Sequence, residues 1–291
     1  MDIVITYVNG ADPLWQESYA KHARVPQITK RYRDWGTLRY LLRAIETNLP
    51  FVQNVFLVVS GPSQVPAWVS GELKVVTHDE IIPKEYLPTF NSTSIEMFLH
   101  RIPGLAEEFI YFNDDMFPVM PCREDDFFRD GKAVQKFHKS FLKSGQFRKH
   151  TFNSDRLARK ALCLKSPLTY LRPKHSVTTM LRSVCERAFE ASEAEILSRL
   201  TPLREDCNVN QYYFVDYQKL AGHTAAGSLG KKHFSLAVSS EQKMRSFFNR
   251  PTEPFVCIND TRVTRDKFEA VGAMLEDVFG TMFPAPSRFE K

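Results

Sequence analysis

The chain has 291 residues, of which 43% are hydrophobic, and its 39 Lys and Arg residues against 34 Asp and Glu residues give a formal net charge of +5. This composition supports a sizeable hydrophobic core in one large domain or two modest ones. A bilayer-spanning helix is excluded, because no apolar run approaches the roughly 18 residues that such a helix needs. Nucleic-acid binding is disfavoured, because the moderate positive charge is accompanied by no nucleic-acid-binding motif.

The N-terminus and the cysteines predict a cytoplasmic protein. Residues 1–8 lack the basic flank and the small-residue cleavage site of a signal peptide, and they read as a strand that starts almost at the first residue. The cysteine pattern favours free thiols in a reducing compartment over a zinc site or a disulfide framework. The five cysteines are odd in number, scattered and without a C-x-x-C pair: Cys122, Cys163, Cys185, Cys207 and Cys257.

Basic residues are concentrated in the stretch 139–150, where they surround the apolar side chains of Phe141, Leu142 and Phe147. Two interpretations of this stretch are open. It either forms a solvated face or attracts an anionic partner, such as the substrate, a lipid phosphate or an acidic membrane surface. The second interpretation predicts peripheral contact with the inner membrane surface.

The first 120 residues alternate the signals of strands and helices. Residues 2–8, 54–59 and 73–77 are apolar and β-branched, which predicts strands. Between the first two of these, apolar residues recur at helical spacing over 38–49 and stop at Pro50, which predicts a helix. Strands that alternate with helices in this way indicate a mostly parallel, doubly wound α/β sheet.

A capping box, Thr93-x-x-Glu96, predicts the start of a helix that carries apolar residues as far as Ile102. Within such a helix, Glu96 and His100 fall at positions i and i+4 on one face, with Arg101 adjacent. A pair of this kind belongs either to the protein surface or to a site.

From about residue 140 the pattern changes to helices and loops, with helices predicted over 177–189, 194–200 and 211–220. A last strand over 255–258 and a C-terminal helix capped by Thr264 follow. The chain is therefore predicted to contain an α/β core, a helical insertion, and a returning strand and helix that complete the core: 1–138, 139–235 and 236–291.

Two adjacent carboxylates, Asp114 and Asp115, directly follow the apolar strand and its last residue, Asn113. Ligands bind outside the carboxyl ends of strands in an open α/β sheet, and neighbouring carboxylates are costly to hold together without a cation. Mg²⁺ is usually held by one or two carboxylates plus substrate phosphates. The pair indicates either such a metal site or an ordinary polar turn. A second strand ends in Asn259-Asp260, which suggests that both strand ends meet at one metal.

Other polar residues lie at loops that could face a ligand. Asn9 and Gly10 follow the first strand, where α/β folds cradle a nucleotide, although an ordinary Asn-Gly turn explains them equally well. His78 ends another predicted strand. Asn91 and Ser92 precede the predicted capped helix, whose N-terminus can hold an anion.

Three residues of the second half are candidates for chemistry. His175 lies in a loop just before a predicted helix, where a histidine can act as a general base near neutral pH. Arg156 and Arg204 are candidates for binding phosphate oxygens, because a guanidinium binds them through a bidentate fork. Each of the three is also compatible with an ordinary surface position.

Taken together, these motifs resemble the conserved blocks of the Stealth family of hexose-1-phosphate transferases. The family includes bacterial capsular polysaccharide phosphotransferases and the catalytic subunit of the lysosomal GlcNAc-1-phosphotransferase. The block that contains His175 and 203–206 matches only at scattered positions. The resemblance is carried by these stretches: 2–10, 38–46, 76–78, 87–92, 95–96, 100–105, 109–115 and 255–260.

The resemblance implies transfer of a sugar-1-phosphate (GlcNAc-1-phosphate or another hexose-1-phosphate) from a UDP-sugar to a hydroxyl of a glycan or other acceptor. UMP is released and a phosphodiester is formed. The resemblance also implies Mg²⁺ or Mn²⁺ as the cofactor. The implied fold is a mostly parallel Rossmann-like, GT-A-like sheet, as in nucleotide-sugar glycosyltransferases, with a helical insertion.

Carried over to this sequence, the resemblance implies that Asp115 and Asp260 hold the metal, with Asp114 beside them. It also implies that Asn9 and Gly10 border the uridine. Asp114 and Asp115 thereby belong to the predicted catalytic set as well as to the predicted metal site.

The resemblance further implies that His175 lies at the reacting centre, with Arg156 and Arg204 on the diphosphate. His175 is then expected to deprotonate the acceptor hydroxyl, while the metal and the arginines stabilise the charge that develops on the diphosphate. Five more residues complete the predicted donor-binding set: His78, Asn91, Ser92, His100 and Arg101.

Two other functions fit the same residues. A metal-dependent glycosyltransferase, which breaks the sugar C–O bond and releases UDP, uses strand-end carboxylates in the same way. A non-catalytic carbohydrate-binding module would show no metal-dependent loss of UDP-sugar. Measuring whether UMP or UDP accumulates separates the first alternative from phosphate transfer.

Overall fold

The computed structural model describes residues 1–23, 30–174, 176–227, 230–259 and 263–291. The strands in these ranges are β1 (Asp2–Thr6), β2 (Asn54–Val59), β3 (Lys74–Thr77), β4 (Glu108–Asn113), β5 (Met116–Pro118), β6 (Phe128–Arg129), β7 (Lys132–Gln135), β8 (Phe137–Ser140), β9 (Tyr170–Pro173), β10 (Thr178–Leu181), β11 (Thr224–Ala226), β12 (Lys231–Ser235) and β13 (Phe255–Asn259). The helices are α1 (Pro13–His22), α2 (Leu38–Asn48), α3 (His78–Ile81), α4 (Ser92–Glu96), α5 (Gln146–Ala161), α6 (Arg182–Ala191), α7 (Glu193–Leu197), α8 (Tyr212–Leu220), α9 (Glu241–Asn249) and α10 (Arg265–Met282).

The main sheet has the strand order β10-β4-β1-β2-β3 in the described parts of the chain and is mostly parallel. Its edge strand β10 runs antiparallel to β4, with Thr178 opposite Tyr111. Strands β1, β2 and β4 bury nearly every side chain, which is typical of strands in a mainly parallel sheet. The predicted α/β class with a mostly parallel sheet is confirmed.

Helix α2 follows from the spacing of its apolar residues. Leu38, Leu41, Leu42 and Ile45 recur three or four positions apart, and all are buried, so the helix has one apolar face. The helix ends at Asn48, because the proline two residues later disfavours the helical conformation of the residue before it. The helix predicted over 38–49 is confirmed.

The chain divides into two compact units. The first unit comprises Met1–Val4, Val76–Tyr111 and Asp125–Ser228. The second unit comprises Ile5–Val75, Phe112–Glu124 and Leu229–Lys291. The boundaries predicted at residues 138 and 235 from the sequence pattern stay a prediction.

In the first unit, α5 packs against α8, and two adjacent polar side chains in the middle of α5 bind neighbouring segments. Ser154 on α5 donates to Asn210 Oδ1 at 3.0 Å, just before α8 begins. The buried Asp155 accepts hydrogen bonds from Arg159 Nε at 3.0 Å and from the backbone N–H of Leu171 on β9 at 2.9 Å. Helix α5 is thereby tied to the antiparallel strand pair β8–β9.

In the second unit, β13 pairs parallel with β12 and antiparallel with β5, so that Cys257 lies opposite Met116. The strand predicted over 255–258 is confirmed. The predicted C-terminal helix is also confirmed as α10, which begins after Thr264 and buries Leu275 and Phe279. No helix in the described ranges, α10 included, is both long enough and apolar enough to cross a membrane.

Two local predictions are wrong. Residues 177–189 do not form one helix, because Thr178 and Thr179 continue the main sheet as part of β10 and α6 begins only at Arg182. The Thr179 hydroxyl donates to the carbonyl of Val134 at 3.0 Å, a long-range bond that local sequence does not reveal.

The predicted helix from Thr93 to Ile102 is wrong as well. Helix α4 is capped by Asn91, whose side chain accepts from the N–H of Thr93, and it ends at Glu96. A separate 3₁₀ turn contains His100. Glu96 and His100 therefore do not share one helical face.

A bidentate ion pair joins Arg43 on α2 to Glu290 in the second unit, with both N···O distances at 2.7 Å. The guanidinium lowers the pKa of Glu290 from 4.5 to about 2, although partial burial opposes the shift. The ionised carboxylate therefore stabilises the fold at neutral pH, and this contribution is lost as the pH falls from about 4.5 to about 2.

Glu290→Gln is expected to lower the free energy of unfolding at pH 7 by roughly 1–3 kcal/mol, because the pair is nearly buried, with side chains 12% and 7% exposed. Urea unfolding at pH 7 and at pH 3 should show the difference from wild type shrinking at the lower pH. Glu241→Gln, which breaks an exposed pair with Arg245, is the control and should cost less than about 1 kcal/mol. A constant difference at both pH values would contradict the assignment.

Candidate active site

Asp114 and Asp115 form the turn between β4 and β5, here called the carboxylate turn. The buried side chains of β4 fix the end of the strand, so both carboxylates lie where the sequence predicts them. Each carboxylate residue is half-buried. The turn is anchored to β13, because the N–H of Ile258 donates to the carbonyl oxygen of Asp115 at 2.8 Å.

The Asp115 carboxylate has one oxygen engaged and one unsatisfied. The Cys257 thiol lies 3.5 Å from Oδ2. Within the described residues, Oδ1 is buried and has no hydrogen-bond partner. Burial raises the pKa of Asp115, although hydrogen bonds from Cys257 and Asn259 and the charge of Lys231 oppose the shift.

The electrostatics of Asp114 are less favourable still. Burial, followed by the charges of Asp115 and Asp34, raises the pKa of Asp114 from 3.8 to about 7. Asp34 accepts a hydrogen bond from the Tyr7 hydroxyl at 2.7 Å, and burial together with Asp34 and Asp114 raises the pKa of Tyr7. Asp115 and Asp34 thus both repel Asp114, and a bound cation would relieve the repulsion.

A cleft of about 400 Å³ opens in the same unit. The Arg39 guanidinium lies 5.1 Å from the centre of the Trp68 ring. Aromatic rings, amides and a guanidinium are the groups that stack on a base, bind its edges and bind phosphate. The cleft is lined by residues of these kinds and by the hydrogen-bonded pair Tyr7 and Asp34. These lining residues are Tyr7, Asn9, Asp34, Trp35, Arg39 and Trp68.

The backbone and side chain of Asn9 are held within the loop after β1. Its Oδ1 accepts from the N–H of Ala11 at 2.9 Å, and its N–H donates to Gln64 Oε1 at 2.7 Å. Gln64 also donates to Asp12 Oδ2 at 2.6 Å. Asn9 lines the cleft in this fixed conformation, and its contact with uridine stays a prediction.

Gly10 is required by a close approach of two backbone segments. Its N–H donates to the carbonyl oxygen of Tyr32 at 2.9 Å, and a Cβ at this position would lie 2.3 Å from that oxygen. The absence of a side chain therefore has a reason within the fold. The predicted place of Gly10 beside the uridine stays a prediction.

Gly10→Ala is expected to lower the free energy of unfolding by about 1–3 kcal/mol, because the Tyr32 carbonyl must move to admit the methyl group. Gly71→Ala is the matched control, since a Cβ there meets no described atom within 4 Å; it should change stability by less than about 0.5 kcal/mol. Thermal unfolding of both variants measures the difference. Equal stabilities would show that the loop yields without cost.

The first unit contains a second polar group of residues, here called the Glu96 cluster: Ser92, Glu96, Tyr111, Arg204 and Gln211. Glu96 is 6% exposed, and its Oε2 accepts the N–H of Gln211 at 2.8 Å. Burial raises the pKa of Glu96 from 4.5 to about 7, although the Gln211 N–H and the charge of Arg204 oppose the shift. A carboxyl group that titrates near neutrality inside the protein is a candidate functional group.

Arg204 and Glu96 are connected through Ser92. Arg204 Nη2 donates to the Ser92 hydroxyl, and Ser92 is hydrogen-bonded to Glu96. Across the part of the chain that the structure describes, Arg204 Nε and Gln211 Oε1 are buried without a hydrogen-bond partner. Buried polar atoms left in this state cost about 1–3 kcal/mol each, and a polar ligand could satisfy them.

Asn91 has a structural role beside this cluster. It is fully buried, and its Oδ1 accepts the N–H of Thr93 at 3.1 Å. Its Nδ2 donates to the carbonyl of Thr201 and to Asn208 Oδ1, both at 3.1 Å. These bonds hold the loop 201–208 against the start of α4, and the donor-binding role of Asn91 stays a prediction.

The two predicted binding histidines are buried. Burial lowers the pKa of His78 to about 4 and that of His100 to about 3. His100 packs against the rings of Phe189 and Phe214 at 5.2 and 5.6 Å, and Arg101 stacks on Phe189 at 4.7 Å. Both histidines are therefore neutral near pH 7, so neither brings a positive charge to a phosphate.

Arg156 on α5 is held by its surroundings. Its Nη2 donates to the carbonyl of Pro167 at 2.6 Å, and its guanidinium lies 4.8 Å from the centre of the Phe152 ring. The buried Asp155 is 3.4 Å from Nη1. These contacts tie α5 to the segment before β9, and the predicted role of Arg156 on the diphosphate stays a prediction.

Comparison with known proteins relates the chain to one family. The family models for Stealth conserved regions 2 and 4 match residues 31–136 and 244–291. The capsular polysaccharide phosphotransferase fcs1 of Haemophilus influenzae is 30% identical over 300 residues, which cover 92% of this chain and 80% of that protein. The chain belongs to the Stealth family.

Other relatives of this Stealth chain are longer than the part they share with it. Receptor polysaccharide phosphotransferase WefC of Streptococcus oralis is 42% identical over 140 residues, covering 45% of this chain and 42% of WefC. Exopolysaccharide phosphotransferase SCO6021 of Streptomyces coelicolor is 30% identical over all of this chain and 57% of its own length. A solved structure of the galactosyltransferase LgtC with donor and acceptor sugar analogues covers 99% of the chain at 10% identity, with a TM-score of 0.47.

Conserved region 2 of this Stealth chain includes both the carboxylate turn and Glu96. Two predicted site residues, His175 and Asp260, lie outside the described residues. Ser92 and Arg204 are brought into direct contact. His100 packs against aromatic rings, Asn91 is held by capping and loop contacts, and His78 is buried.

The carboxylate turn fits the divalent cation that the Stealth resemblance implies. Its oxygens are the ligand type that Mg²⁺ and Mn²⁺ prefer, and Asp115 Oδ1 is buried without a partner within the described ranges. Among the residues with described positions, no group of three or more His, Cys, Asp or Glu side chains could hold a metal. A complete ligand set therefore needs substrate oxygens, water or Asp260.

Sequence reasoning missed Asp34 and Gln211 as site residues and did not select Glu96. Glu96 had a detectable signal, because a single acidic residue sits between the apolar residues Ile95 and Met97. Asp34 and Gln211 had none, since each reaches its partner only through the fold: Asp34 is 27 residues from Tyr7, and Gln211 is 115 residues from Glu96.

Proposed function

We propose that the chain transfers a sugar-1-phosphate from a UDP-sugar to a hydroxyl of a glycan acceptor, releasing UMP and forming a phosphodiester. Relatives named capsular or exopolysaccharide phosphotransferases support a phosphotransferase of polysaccharide synthesis. The observation that carries the proposal is the carboxylate turn, where Asp114 and Asp115 stay together although burial and mutual repulsion raise the pKa of Asp114 to about 7. Carboxylates under such strain are typical of sites that bind a cation.

The cleft beside Tyr7 is the proposed binding site for the nucleotide. Trp35 and Trp68 supply aromatic rings for stacking on a uracil base, and Asn9 supplies an amide to the lining of the cleft. Arg39 lies close enough to Trp68 to bind a phosphate next to a stacked base. UDP is a ligand of the right size and polarity for this cleft.

Asp115 and Asp114, together with Asp260, are proposed to hold Mg²⁺ or Mn²⁺. When bound, this ion supplies positive charge that neutralises the diphosphate and stabilises the leaving nucleotide. The protein residues contribute the pre-positioned oxygens. The Cys257 thiol and the Ile258 N–H fix the orientation of Asp115 before any ligand arrives.

Arg204 is proposed to bind a phosphoryl oxygen through its buried Nε. Its other end is held by Ser92 and, through Ser92, by Glu96. A guanidinium held in this way is oriented before the substrate binds. Phosphoryl transfer depends mainly on positioning and charge neutralisation, and a pre-oriented guanidinium contributes to both. His175 is proposed as the base that takes the proton from the acceptor hydroxyl.

The proposal is tested by incubating the purified chain with a panel of UDP-sugars and a hydroxyl-bearing glycan, with and without Mg²⁺, and by quantifying both nucleotides. UMP formation that depends on Mg²⁺ is the expected result. Accumulation of UDP would identify a glycosyltransferase and overturn the proposal. The absence of any metal-dependent loss of UDP-sugar over the panel would favour a carbohydrate-binding module.

The reaction is proposed to take place in the cytoplasm. The described residues include all five cysteines, and none of them forms a disulfide. Two of the thiols, Cys163 and Cys207, are exposed, as is usual for proteins of a reducing compartment.

A further inference from the structure

The net positive charge of the chain arises from one segment. Residues 136–174 contain 11 Lys and Arg residues and one acidic residue, Asp155, for a net charge of +10. The whole chain carries +5, so the remaining residues together carry −5. Asp155 is fully buried and paired with Arg159. The exposed charges of this segment are therefore all basic, and two of them, Lys149 and Lys160, pair with Asp206 and Glu195 outside it.

The same segment exposes large apolar side chains. Leu168 is 95% exposed, Phe141 is 72% exposed, and Leu142 and Leu164 are 48% and 44% exposed. Exposed apolar residues are ordinary when they are single. Here five of them, Phe147 at 42% exposure included, fall within the most basic segment of the chain, which is not expected of a merely solvated face.

The fold brings Phe141, Leu142 and Leu168 to one place. Strands β8 and β9 pair antiparallel, and Ser140 lies opposite Tyr170 at the end of the pair. Phe141 directly follows Ser140, and Leu168 lies two residues before Tyr170. The chain therefore leaves β8 and enters β9 at the same end of the strand pair. The Tyr170 hydroxyl also donates to the carbonyl oxygen of Leu142 at 2.6 Å.

Lysines lie within the same two loops. Lys143 follows Leu142 directly, and Lys165 follows Leu164, and both are exposed. Together these residues form what is here called the β8–β9 loop surface: Phe141, Leu142, Lys143, Leu164, Lys165 and Leu168. Its combination of protruding apolar groups and flanking ammonium groups matches the two layers of a bilayer interface.

We propose that the β8–β9 loop surface docks on a bilayer that contains anionic lipids. The lysines contact the lipid phosphates, and Phe141 and Leu168 enter the boundary between headgroups and acyl chains. A soluble acidic polymer would satisfy the lysines but would offer nothing to a leucine that is 95% exposed. The apolar residues therefore favour a membrane over a polyanion. The proposal does not rest on the proposed function, because docking requires neither donor nor acceptor.

The test is co-sedimentation of the purified full chain with vesicles, without nucleotide or glycan. One set of vesicles is pure phosphatidylcholine, and the other contains phosphatidylglycerol at about a third of the lipid. Binding to the second set, weakened by raised salt, is the expected result. The double variant Lys143→Glu/Lys165→Glu should bind at least about 25-fold more weakly, since each basic residue near the surface contributes about a factor of five.

The apolar half of the surface is tested by Phe141→Ser/Leu168→Ser, which should reduce vesicle binding at least about 10-fold, because two buried apolar side chains are lost. The matched controls are Lys243→Glu and Leu14→Ser, which change an exposed lysine and a 65% exposed leucine of the second unit. Both controls should bind like wild type. Because all these side chains are exposed, thermal unfolding should be unchanged.

Two results would overturn the proposal. The first is absence of binding to the phosphatidylglycerol vesicles. The second is vesicle binding that depends on the lysines alone. In that case Lys143→Glu/Lys165→Glu abolishes binding, Phe141→Ser/Leu168→Ser leaves it intact, and dextran sulfate displaces the protein from the vesicles. Such a result would identify a surface for acidic polymers. Neither result bears on the nucleotide assay, which contains a glycan acceptor and no vesicles. Failure of membrane docking and failure of the proposed transfer reaction are thus distinguishable.

Discussion

Asp115→Asn is expected to lower the rate of the proposed sugar-phosphate transfer by about 100-fold or more, because it removes a carboxylate that is proposed to hold the divalent cation. The amide keeps the shape of the side chain, so the turn between β4 and β5 should persist. The rate is measured as UMP formed per minute at saturating Mg²⁺ and UDP-sugar. Titration with Mn²⁺ should show weaker metal binding in the absence of any substrate, which separates loss of the cation from loss of chemistry.

The stability of the same variant should change in the opposite direction. Asp115 is one of the charges that raise the pKa of Asp114 to about 7, so replacing it by an amide removes a repulsion from the folded state. In metal-free buffer at pH 8, the free energy of unfolding of Asp115→Asn should equal or exceed that of wild type. A residue that lowers stability while it supports turnover is retained for function.

Asp79→Asn provides the matched control. Asp79 also follows a strand of the main sheet, β3, but it is exposed and its pKa is lowered, mainly by a hydrogen bond from Thr77. Its substitution should leave the rate and the Mn²⁺ titration unchanged. Equal rates for Asp115→Asn and wild type, or an Asp115→Asn protein that unfolds more easily without metal, would contradict the assignment of the carboxylate turn.

Local sequence patterns were sufficient for the elements that carry this turn. The apolar run of β4 reflects burial on both faces of the sheet. The spacing of Leu38, Leu41, Leu42 and Ile45 reflects burial of one face of α2, and both patterns are visible in the sequence. The position of Asp114 and Asp115 at the end of β4 follows directly. These parts of the fold and of the site were predictable for that reason.

The remaining parts depend on partners that are far away in the sequence. Thr178 and Thr179 lie just before the amphipathic helix α6, and only their place beside β4 in the sheet makes them a strand. The capping box predicted at Thr93 and Glu96 does not form, because the side chain of Asn91 caps α4 and also donates to Asn208. Glu96 is then free to accept the N–H of Gln211. Local propensity cannot rank such alternatives, because tertiary contacts outweigh it.

Glu96→Gln is the second substitution with a large expected effect. The amide cannot supply the negative charge that holds Ser92 and Arg204 in their present orientation. A misplaced guanidinium costs about 100-fold in rate when the reaction depends on positioning. The turnover number should therefore fall by about 100-fold, and the dependence of the rate on pH near 7 that arises from Glu96 should disappear.

The free energy of unfolding gives the complementary measurement. The pKa of Glu96 is raised from 4.5 to about 7, so between these pH values the folded protein holds the proton more tightly than the unfolded chain does. Stability contributed by this group is therefore lost as the pH rises from about 4.5 to about 7. Glutamine does not titrate, so Glu96→Gln should be more stable than wild type at pH 8, by roughly 1–3 kcal/mol, and the difference should shrink at pH 5.

Glu107→Gln is the control for this pair of measurements. Glu107 also accepts a backbone N–H, that of Ser183 at 3.1 Å, but it is exposed. Its substitution should leave both the rate and its pH dependence unchanged.

If Glu96→Gln were as active as wild type, Arg204 would be held by Ser92 alone. If Glu96→Gln were less stable than wild type at pH 8, the Glu96 carboxylate would stabilise the folded protein, which would contradict a purely functional role. Loss of turnover together with gain of stability assigns Glu96 to function, because a buried charge that weakens the fold is kept only where the reaction needs it.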